Sequence, residues 1–186
     1  MPYNLLTERW IPVRRKSGRL ESIAPWQIVE QNDLPLAIES PRPDFDGALI
    51  QFLTALLQTT AAPNSAAEWA RTFDKPWTPD ELRQKFFAVS AAFNLDGSGP
   101  RFMQDLTLQS DNAERVPIGA LLIDRIGEEG LTENPNLFAK PGAFDALGFP
   151  AVAAALFTLQ TNAPSGGRGH LTSIRGGGPL TTILLG

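Results

Sequence analysis

The side chains best suited to metal or nucleophilic chemistry are scarce in this chain, which has one histidine, His170, and no cysteine. Zinc and related centres need several nitrogen or sulfur ligands at close spacing. The composition therefore argues against such a centre and excludes thiol catalysis. No Gly-x-Ser-x-Gly element accompanies His170, so a Ser-His-Asp hydrolase is not supported either. We interpret His170 as a structural or surface residue, with contact to a phosphate or base as the alternative.

Two pairs of neighbouring carboxylates, Asp44 with Asp46 and Asp80 with Glu81, are the next candidates. Either pair could in principle hold Mg²⁺ for phosphodiester cleavage. Both pairs stand where helices are expected to begin, and carboxylates there stabilise exposed N–H groups and the positive end of the helix dipole. We therefore predict structural roles. A metal-dependent nuclease remains an alternative that requires the carboxylates to converge.

A glycine-rich segment, Ser165-Gly166-Gly167-Arg168-Gly169, lies near the end of the chain. It lacks the Gly-Lys-Ser/Thr ending of a phosphate loop, which argues against an NTPase. Its glycines permit backbone N–H groups to approach a polyanion or a groove edge, and Arg168 adds a positive charge. On the residues alone, however, a flexible connection between a helix and a strand is the favoured interpretation. Arg175 is similarly either a phosphate contact or a surface charge.

The net charge of −4 argues against a protein that coats DNA indiscriminately. The charge is unevenly distributed, because residues 134–186 hold Lys140, Arg168 and Arg175 against Asp145 alone. This part of the chain is the better place for an anionic partner. A second basic cluster, which we interpret as a solvated hairpin surface, comprises Arg9, Arg14, Arg15, Lys16 and Arg19.

The elements that must position these residues begin with a β-hairpin, predicted from runs at 9–14 and 19–23 around a turn that contains Gly18. A short helix over Pro25 to Gln31, preceded by Ser22, follows. Asp44 to Thr60 has apolar residues at three- and four-residue spacing, which predicts a core helix. Its expected buried face consists of Leu49, Phe52, Leu53, Leu56 and Leu57.

The remaining pattern predicts more helices than strands. Thr78-Pro79-Asp80-Glu81 is typical of a capped helix start. The predicted helices are Ala66 to Phe73, Thr78 to about Phe93, Ile118 to Ile126 and Ala151 to Thr161, the last with Val152, Leu156 and Leu159 towards the core. The predicted strands are Arg101 to Leu108, Leu171 to Ile174 and Leu180 to Leu185. Asn94 to Pro100 and Gly127 to Gly148 are predicted loops, and the length of the second favours a functional role.

These elements predict an α+β fold, with mixed helices, short antiparallel hairpins and long functional loops in a single globular domain over residues 1–186. The longest apolar stretches, Phe149 to Leu159 and Leu180 to Leu185, are too short to span a membrane. No secretory pattern opens the chain. We therefore expect a cytoplasmic protein without membrane contact and without a cofactor.

Several motifs occur in an order that is more specific than any one of them. Near the start these are Tyr3-Asn4-Leu5-Leu6, Trp10-Ile11-Pro12-Val13 and Pro41-Arg42-Pro43-Asp44. Near the end they are Leu137 to Gly142, Ser165 to His170 and Ile174 to Thr182. Together they resemble the large subunit of the type I-E CRISPR surveillance complex, Cascade. The resemblance spans essentially the whole chain, although residues 62–130 carry little of it.

The resemblance implies that the chain corresponds to the N-terminal α+β domain of that subunit, without the helical bundle that the family carries at its C-terminus. It implies a non-catalytic part of an RNA-guided antiviral complex. That part recognises the protospacer-adjacent motif in duplex DNA from the minor-groove side and helps to open the target strand. The implied partners are other Cascade subunits, the 5′ handle of the CRISPR RNA, target double-stranded DNA and the helicase-nuclease effector.

The resemblance also implies site residues. Phe138, Ala139, Lys140 and Pro141 correspond to a loop that meets DNA or the guide-RNA handle. Ser165, Gly166, Gly167, Arg168 and Gly169 correspond to a glycine loop for DNA, and His170 and Arg175 are possible phosphate contacts. The main alternative is a protein-interaction scaffold without direct DNA contact, which the net negative charge favours.

Overall fold

The computed structural model of the chain describes residues 1–104, 106, 117–122 and 145–162. Backbone contacts divide the chain into two compact units, Met1–Gln104 and Asp105–Gly186. The first unit combines a three-stranded antiparallel sheet with three α-helices, and the described part of the second holds one α-helix. The predicted α+β class is confirmed. The single domain over residues 1–186 stays a prediction.

The sheet forms around the predicted hairpin, which is confirmed. Strands β1 (Ile11–Arg15) and β2 (Leu20–Ile23) pair antiparallel, and β3 (Pro35–Ile38) pairs with the other edge of β1. Val13 lies opposite Glu21 on one side and Ile38 on the other. Gly18 closes the hairpin at φ +86°, a backbone conformation that glycine adopts without the steric cost of a Cβ.

A 3₁₀ turn, Pro25–Val29, replaces the helix predicted for Pro25 to Gln31. Its start is held by the side chain of Gln27, whose Oε1 accepts a hydrogen bond from the backbone N–H of Ala24 at 2.8 Å. Ser22, which precedes this segment, belongs to β2. The turn is therefore capped by one of its own residues, and it begins two residues after β2 ends.

Helix α1 (Pro43–Thr60) forms the centre of the first unit and confirms the predicted core helix. Its buried residues are Phe45, Ala48, Leu49, Phe52, Leu53 and Leu56. Of the five residues expected on the buried face, four are buried and Leu57 is half-buried. The Phe52 ring makes edge-to-face contacts with Trp10, Phe93 and Phe102 at centroid separations of 5.4, 6.0 and 6.1 Å. An aromatic cluster thus joins α1 to three distant parts of the sequence.

Hydrogen bonds join the N-terminal motif around Asn4 to this core. Asn4 forms an isolated antiparallel bridge with Asn94, and its Nδ2 donates to the Ser90 carbonyl and to Asn94 Oδ1, both at 2.8 Å. Leu5 is fully buried, and its carbonyl accepts a hydrogen bond from Trp10 Nε1 at 2.7 Å. The first residues of the chain are therefore tied to residues some ninety positions later.

Two shorter helices follow, α2 (Ala66–Asp74) and α3 (Pro79–Phe87). The prediction that the second continues to Phe93 is wrong, because the chain ends α3 at Phe87 and forms a 3₁₀ turn at Ser90–Phe93. This turn places Phe93 against Phe52 and directs the Ser90 carbonyl to Asn4. Tertiary contacts therefore override a helical pattern that is only locally favourable.

The predicted strand from Arg101 to Leu108 is wrong over its described part, since residues 101–104 form a turn. The Gln104 N–H donates to the Arg101 carbonyl at 3.1 Å, and Met103 adopts a positive φ of 57°. The turn allows Phe102 to stack on Phe93 with ring centroids 5.5 Å apart. Aromatic packing on α1 thus decides the backbone path here.

The predicted start of α3 is confirmed as a reciprocal capping box. Thr78 Oγ1 accepts from the Glu81 N–H at 3.3 Å, and Glu81 Oε2 accepts from the Thr78 N–H at 2.8 Å. The backbone hydrogen bond from Thr78 is the main reason that the pKa of Glu81 lies below its usual range. The folded state therefore gains stability from ionised Glu81 above the pKa of the unfolded chain and loses it as the pH falls through the folded pKa.

Thr78→Ala is expected to lower the free energy of unfolding by about 1 kcal/mol at neutral pH, because it removes the N-cap acceptor. Denaturant unfolding followed by circular dichroism measures this change. Part of the loss should disappear at acid pH, where protonated Glu81 no longer supports the cap. Equal destabilisation at pH 7 and at pH 3 would contradict the reciprocal contribution of the carboxylate.

The described helix of the second unit, α4 (Phe149–Asn162), confirms the Ala-rich helix that the sequence predicts. The predicted core face is wrong, because Val152, Leu156 and Leu159 are only half-buried. The buried residues are instead Ala153, Ala154, Ala155, Phe157, Thr158 and Thr161. The two threonines are satisfied internally, since their hydroxyls donate to the carbonyls four residues earlier at 2.7 and 2.8 Å.

A 3₁₀ turn at Ile118–Leu121 packs against α4. It is the described part of the helix predicted for Ile118 to Ile126, and residues 123–126 lie outside the described residues. The strands predicted at 171–174 and 180–185 also lie outside them. Among the helices that the structure describes, none is long and apolar enough to cross a membrane.

Two tryptophans of the first unit differ in how their indole N–H is satisfied. Trp10 is 1% exposed and donates to the Leu5 carbonyl, whereas the buried Nε1 of half-buried Trp26 finds no partner in the described structure. Trp10→Phe is therefore expected to lower the free energy of unfolding by about 2 kcal/mol. Trp26→Phe should change it by no more than about 0.5 kcal/mol, because it deletes an unpaired donor. Thermal unfolding of both variants checks the contrast, and equal losses would contradict it.

Candidate nucleic-acid interface

The two segments expected to contact nucleic acid flank α4 in the sequence. Phe138, Ala139, Lys140 and Pro141 precede it, and Ser165, Gly166, Gly167, Arg168 and Gly169 follow it. These residues lie outside the described residues, as do His170 and Arg175. Seven residues separate Pro141 from Phe149, and two separate Asn162 from Ser165. Helix α4 is therefore the described element nearest in sequence to both segments.

Helix α4 has the properties of a rigid support for such segments. At 1.5 Å per residue its 14 residues measure about 21 Å. Its three consecutive alanines and Thr158 are buried, which restrains the helix on several sides. Its last turn carries no basic residue. Because a helix C-terminus bears partial negative charge, attraction of a phosphate close to this end depends on cations beyond it, of which Arg168 comes first in the sequence.

The four arginines of the basic cluster near the N-terminus are paired within the first unit, and Lys16 is exposed. Arg9 and Arg19 each contact Glu21, at 3.0 and 2.9 Å, and Arg14 contacts Glu39 at 2.7 Å. These three arginines remain about half exposed, in agreement with the interpretation of a solvated hairpin surface. Their pairing leaves little free positive charge for a phosphate backbone.

Arg15 departs from that interpretation, because its side chain is only 3% exposed. Its Nε donates to Glu21, its Nη2 contacts Glu30 at 2.7 Å, and its Nη1 donates to the Asp33 carbonyl at 3.0 Å. Burial opposes the charge on Arg15, but the hydrogen bonds to Glu30 and Glu21 outweigh it and raise the pKa of the guanidinium. The sequence did not predict the burial of Arg15, because its pattern placed Arg15 in the hairpin turn.

Glu21 is the common partner of three arginines. The hydrogen bond from Arg15 is the main cause that lowers the pKa of Glu21, with further contributions from the charges of Arg15, Arg19 and Arg9. Asp33 has a lowered pKa as well, because the Ser17 hydroxyl and N–H both donate to its carboxylate at 2.8 Å. The hairpin is thus joined to the segment before β3 by charged hydrogen bonds.

An open groove of about 550 Å³ lies over this network. Its charged lining consists of three guanidinium groups, from Arg9, Arg15 and Arg19, and three carboxylates, from Glu21, Glu30 and Asp33. The six charges balance, and each nitrogen of the best-shielded guanidinium, that of Arg15, has a protein acceptor. The groove therefore has no electrostatic preference for a polyanion, and its residues are better explained as structural.

The acidic pairs have the structural roles that the sequence predicts. Asp44 forms a salt bridge with Arg42 at 2.9 Å, and Asp46 Oδ1 accepts from the Ser40 N–H at 2.8 Å. Glu81 belongs to the capping box of α3, and Asp80 lies beside it in the first turn. Throughout the part of the chain that the structure describes, His, Cys, Asp and Glu residues form no group of three that could hold a metal ion.

The described architecture defines an α+β protein in which a small antiparallel sheet and an aromatic-rich helical core are built from the N-terminal half. The family model of the CRISPR-associated protein Cse1 matches residues 4–186. The chain belongs to this family. The match includes both segments that flank α4, and it confirms the resemblance drawn from the sequence motifs.

Solved structures share the fold at low sequence identity. Thermus thermophilus CasA (Cse1) is 22% identical, with a TM-score of 0.65, over 89% of this chain and 32% of that chain. Thermobifida fusca Cse1 is 20% identical, with a TM-score of 0.71, over 88% and 30%. A chain of a CRISPR RNA-guided surveillance complex in a pre-nicking state is 17% identical, with a TM-score of 0.68, over 89% and 35%. This chain thus spans about a third of the length of each.

Proposed function

We propose that this chain is a non-catalytic, DNA-recognising part of a type I-E CRISPR surveillance complex, Cascade. In this proposal it recognises the protospacer-adjacent motif in duplex DNA, helps to open the target strand and contributes to recruitment of the helicase-nuclease. The observation that carries the proposal is the match of the Cse1 family model over residues 4–186, which extends through both segments next to α4. The likeness to a chain of a surveillance complex supports the same assignment.

The proposed mechanism divides recognition between protein and guide. The segment Phe138 to Pro141 meets the guide-RNA handle or the DNA, and the segment Ser165 to Gly169 approaches the minor groove with its backbone. His170 and Arg175 are possible phosphate contacts. Minor-groove contacts read a degenerate pattern, so motif recognition should tolerate some base changes. Base pairing with the guide RNA then supplies the sequence specificity.

The proposed partners are the other Cascade subunits, the 5′ handle of the CRISPR RNA, target double-stranded DNA and the helicase-nuclease, in the cytoplasm. The first unit supports protein contacts better than DNA contacts, because Arg9, Arg14, Arg15 and Arg19 pair with carboxylates. This pairing favours the second candidate, a scaffold that holds the complex together without touching DNA. The salt dependence of DNA binding separates the two, since phosphate contacts make affinity fall with salt.

An add-back experiment tests the proposal. The chain is mixed with guide-loaded complex that lacks its large subunit, and affinity is measured for duplexes with and without the protospacer-adjacent motif. We expect the chain to dock and to raise affinity for the motif-bearing duplex, with an effect that weakens as salt rises. Docking without any gain in DNA affinity favours the scaffold. Failure to dock contradicts the proposed function.

Gly167→Val and Gly169→Val are each expected to weaken motif-dependent binding by about tenfold or more, because a branched side chain prevents close approach of the backbone to the groove. Gly47→Ala is the matched control. Gly47 lies in α1, and a Cβ there finds open space beyond the neighbouring backbone of its own helix. Electrophoretic mobility shifts of the reconstituted complex measure the effect. Intact motif discrimination in both valine variants would remove the glycine segment from the interface.

A further inference from the structure

Helix α2 is folded although none of its nine residues is buried. Four of its five apolar residues follow a spacing of three and four, which places them on one face: Ala66, Trp69, Ala70 and Phe73. Trp69 is 61% exposed and Phe73 is 78% exposed. Two large aromatic side chains one helical turn apart thus stand in solvent on an otherwise small-residue face.

Hydrogen bonds at the N-terminus of α2 stabilise the helix, whereas its apolar face is not buried. Ser65 caps it by accepting from the Glu68 N–H at 3.2 Å, and Glu68 Oε2 accepts from the Asn64 N–H at 2.8 Å. Pro63 and Pro76 stand just outside the two ends and restrict the backbone there. A nine-residue helix is marginal in water without tertiary packing. The arrangement therefore presents a pre-formed apolar face that lacks the contact which normally stabilises such a helix.

We propose that α2 docks through Trp69 and Phe73 into an apolar groove on another protein subunit of the surveillance complex. The inference rests on the proposed function, because it places the chain in that assembly. Recognition of an amphipathic helix by a groove uses apolar anchors at this spacing. Trp and Phe are also the large side chains that bury most area when they enter such a groove.

The charges around the face favour a protein over a nucleic acid. Glu68 and Asp74 balance Arg71 and Lys75, so the helix and its C-cap are neutral. Aromatic platforms that stack single-stranded bases lie in positively charged grooves that follow the phosphate backbone. Helix α2 offers the aromatic groups without the charge, which suits an apolar protein groove.

The size of the face argues against a second copy of this chain as the occupant. Two large aromatic side chains bury about 150–250 Å² each, so the face contributes about 400 Å². A stable pair of proteins buries about 800 Å² on each side. The face alone is too small for a symmetric dimer, but it fits one part of the larger interface by which a subunit is held in a complex.

The test uses the absence of cysteine from the chain. Ala70→Cys provides a single thiol between the two anchors, and its alkylation rate is compared in the isolated chain and in the reconstituted complex. We expect at least a tenfold slower reaction in the complex. The double variant Trp69→Ala/Phe73→Ala should dock at least tenfold more weakly with an unchanged thermal midpoint. Trp69→Phe/Phe73→Leu, which keeps both anchors apolar, should dock nearly as well as the parent.

Three results would overturn the inference. The first is full reactivity of the thiol after the parent chain has demonstrably docked, which leaves the proposed function intact. The second is protection of the isolated chain that grows with its concentration, which identifies a second copy as the occupant. The third is protection by single-stranded DNA alone. A parent chain that never docks instead contradicts the proposed function itself, and the inference fails with it.

Discussion

Phe52→Ala is expected to lower the free energy of unfolding by about 4 kcal/mol. Phe52 is 2% exposed, and its ring contacts Trp10, Phe93 and Phe102, which come from three separate segments. Deleting the ring removes its transfer free energy and leaves a cavity among rigid neighbours that cannot collapse into it. For a chain of this length the thermal midpoint should fall by about 8–16 °C.

Phe87→Ala is the control for that prediction. Phe87 is the last residue of α3 and is 70% exposed, so its removal should change the free energy of unfolding by no more than about 0.5 kcal/mol. Chemical denaturation of both variants at one temperature gives the comparison. A loss below about 1 kcal/mol for Phe52→Ala would mean that the aromatic cluster is not the centre of the first unit.

Arg15→Met is expected to lower the free energy of unfolding by about 3 kcal/mol at neutral pH. The substitution keeps most of the side-chain volume, but it leaves Glu21, Glu30 and the Asp33 carbonyl without their shared donor. Removing one partner of a buried ion pair costs roughly 3–5 kcal/mol, and the partial exposure of both carboxylates places this site at the lower end.

The neighbouring residue supplies a matched control. Arg14 and Glu39 are both nearly half exposed, and exposed pairs contribute at most about 1 kcal/mol. Arg14→Met should therefore be close to neutral in the same denaturation experiment. If the two variants lose equal stability, the burial of Arg15 has no energetic importance.

The difference between Arg15→Met and the parent chain should depend on pH. The pKa of Glu21 is lowered in the folded state, chiefly by the hydrogen bond from Arg15. Its contribution is therefore fully present above the pKa of the unfolded chain and is lost as the pH falls through the folded pKa. Unfolding measured from pH 7 down to pH 3 should show the two proteins converging. A constant difference would contradict the coupling between Arg15 and Glu21.

Local signals in the sequence were sufficient where structure is decided locally. Gly18 between two short runs predicted the hairpin, Thr78 with Glu81 predicted the start of α3, and the spacing from Leu49 to Leu56 predicted α1. Each of these patterns has a single favourable solution within about ten residues. The α+β class followed from them.

Long-range packing decided what the sequence could not predict. The end of α3 at Phe87 depends on Asn4 and Phe52, which are distant in the chain. The buried face of α4 runs through Ala and Thr residues, whereas hydrophobicity favoured Val152, Leu156 and Leu159. Burial of Arg15 required acceptors from Glu30 and Asp33, whose approach no local pattern reveals.

The nucleic-acid segments were predicted by motif order and not by chemistry, since glycines and single cations do not identify a ligand. Family membership over residues 4–186 supports those motifs as a set. The roles of Phe138, Lys140 and Arg168 stay predictions, because those residues lie outside the described residues. For the first unit the structure adds what the sequence did not suggest, namely an internally neutralised arginine cluster and an unpartnered aromatic face on α2.

The bridge between Asn4 and Asn94 has a consequence for how the chain is made. On a ribosome the pairing of β1 with β2 can form as soon as its residues emerge, since the two strands are close in sequence. Asn4 and Leu5 can complete their contacts with Asn94 and Phe93 only after about ninety further residues have been synthesised, because contacts of large sequence separation form late. The motif around Asn4 is thus translated well before the residues that complete its packing, and its apolar side chains must be kept from other apolar surfaces until then.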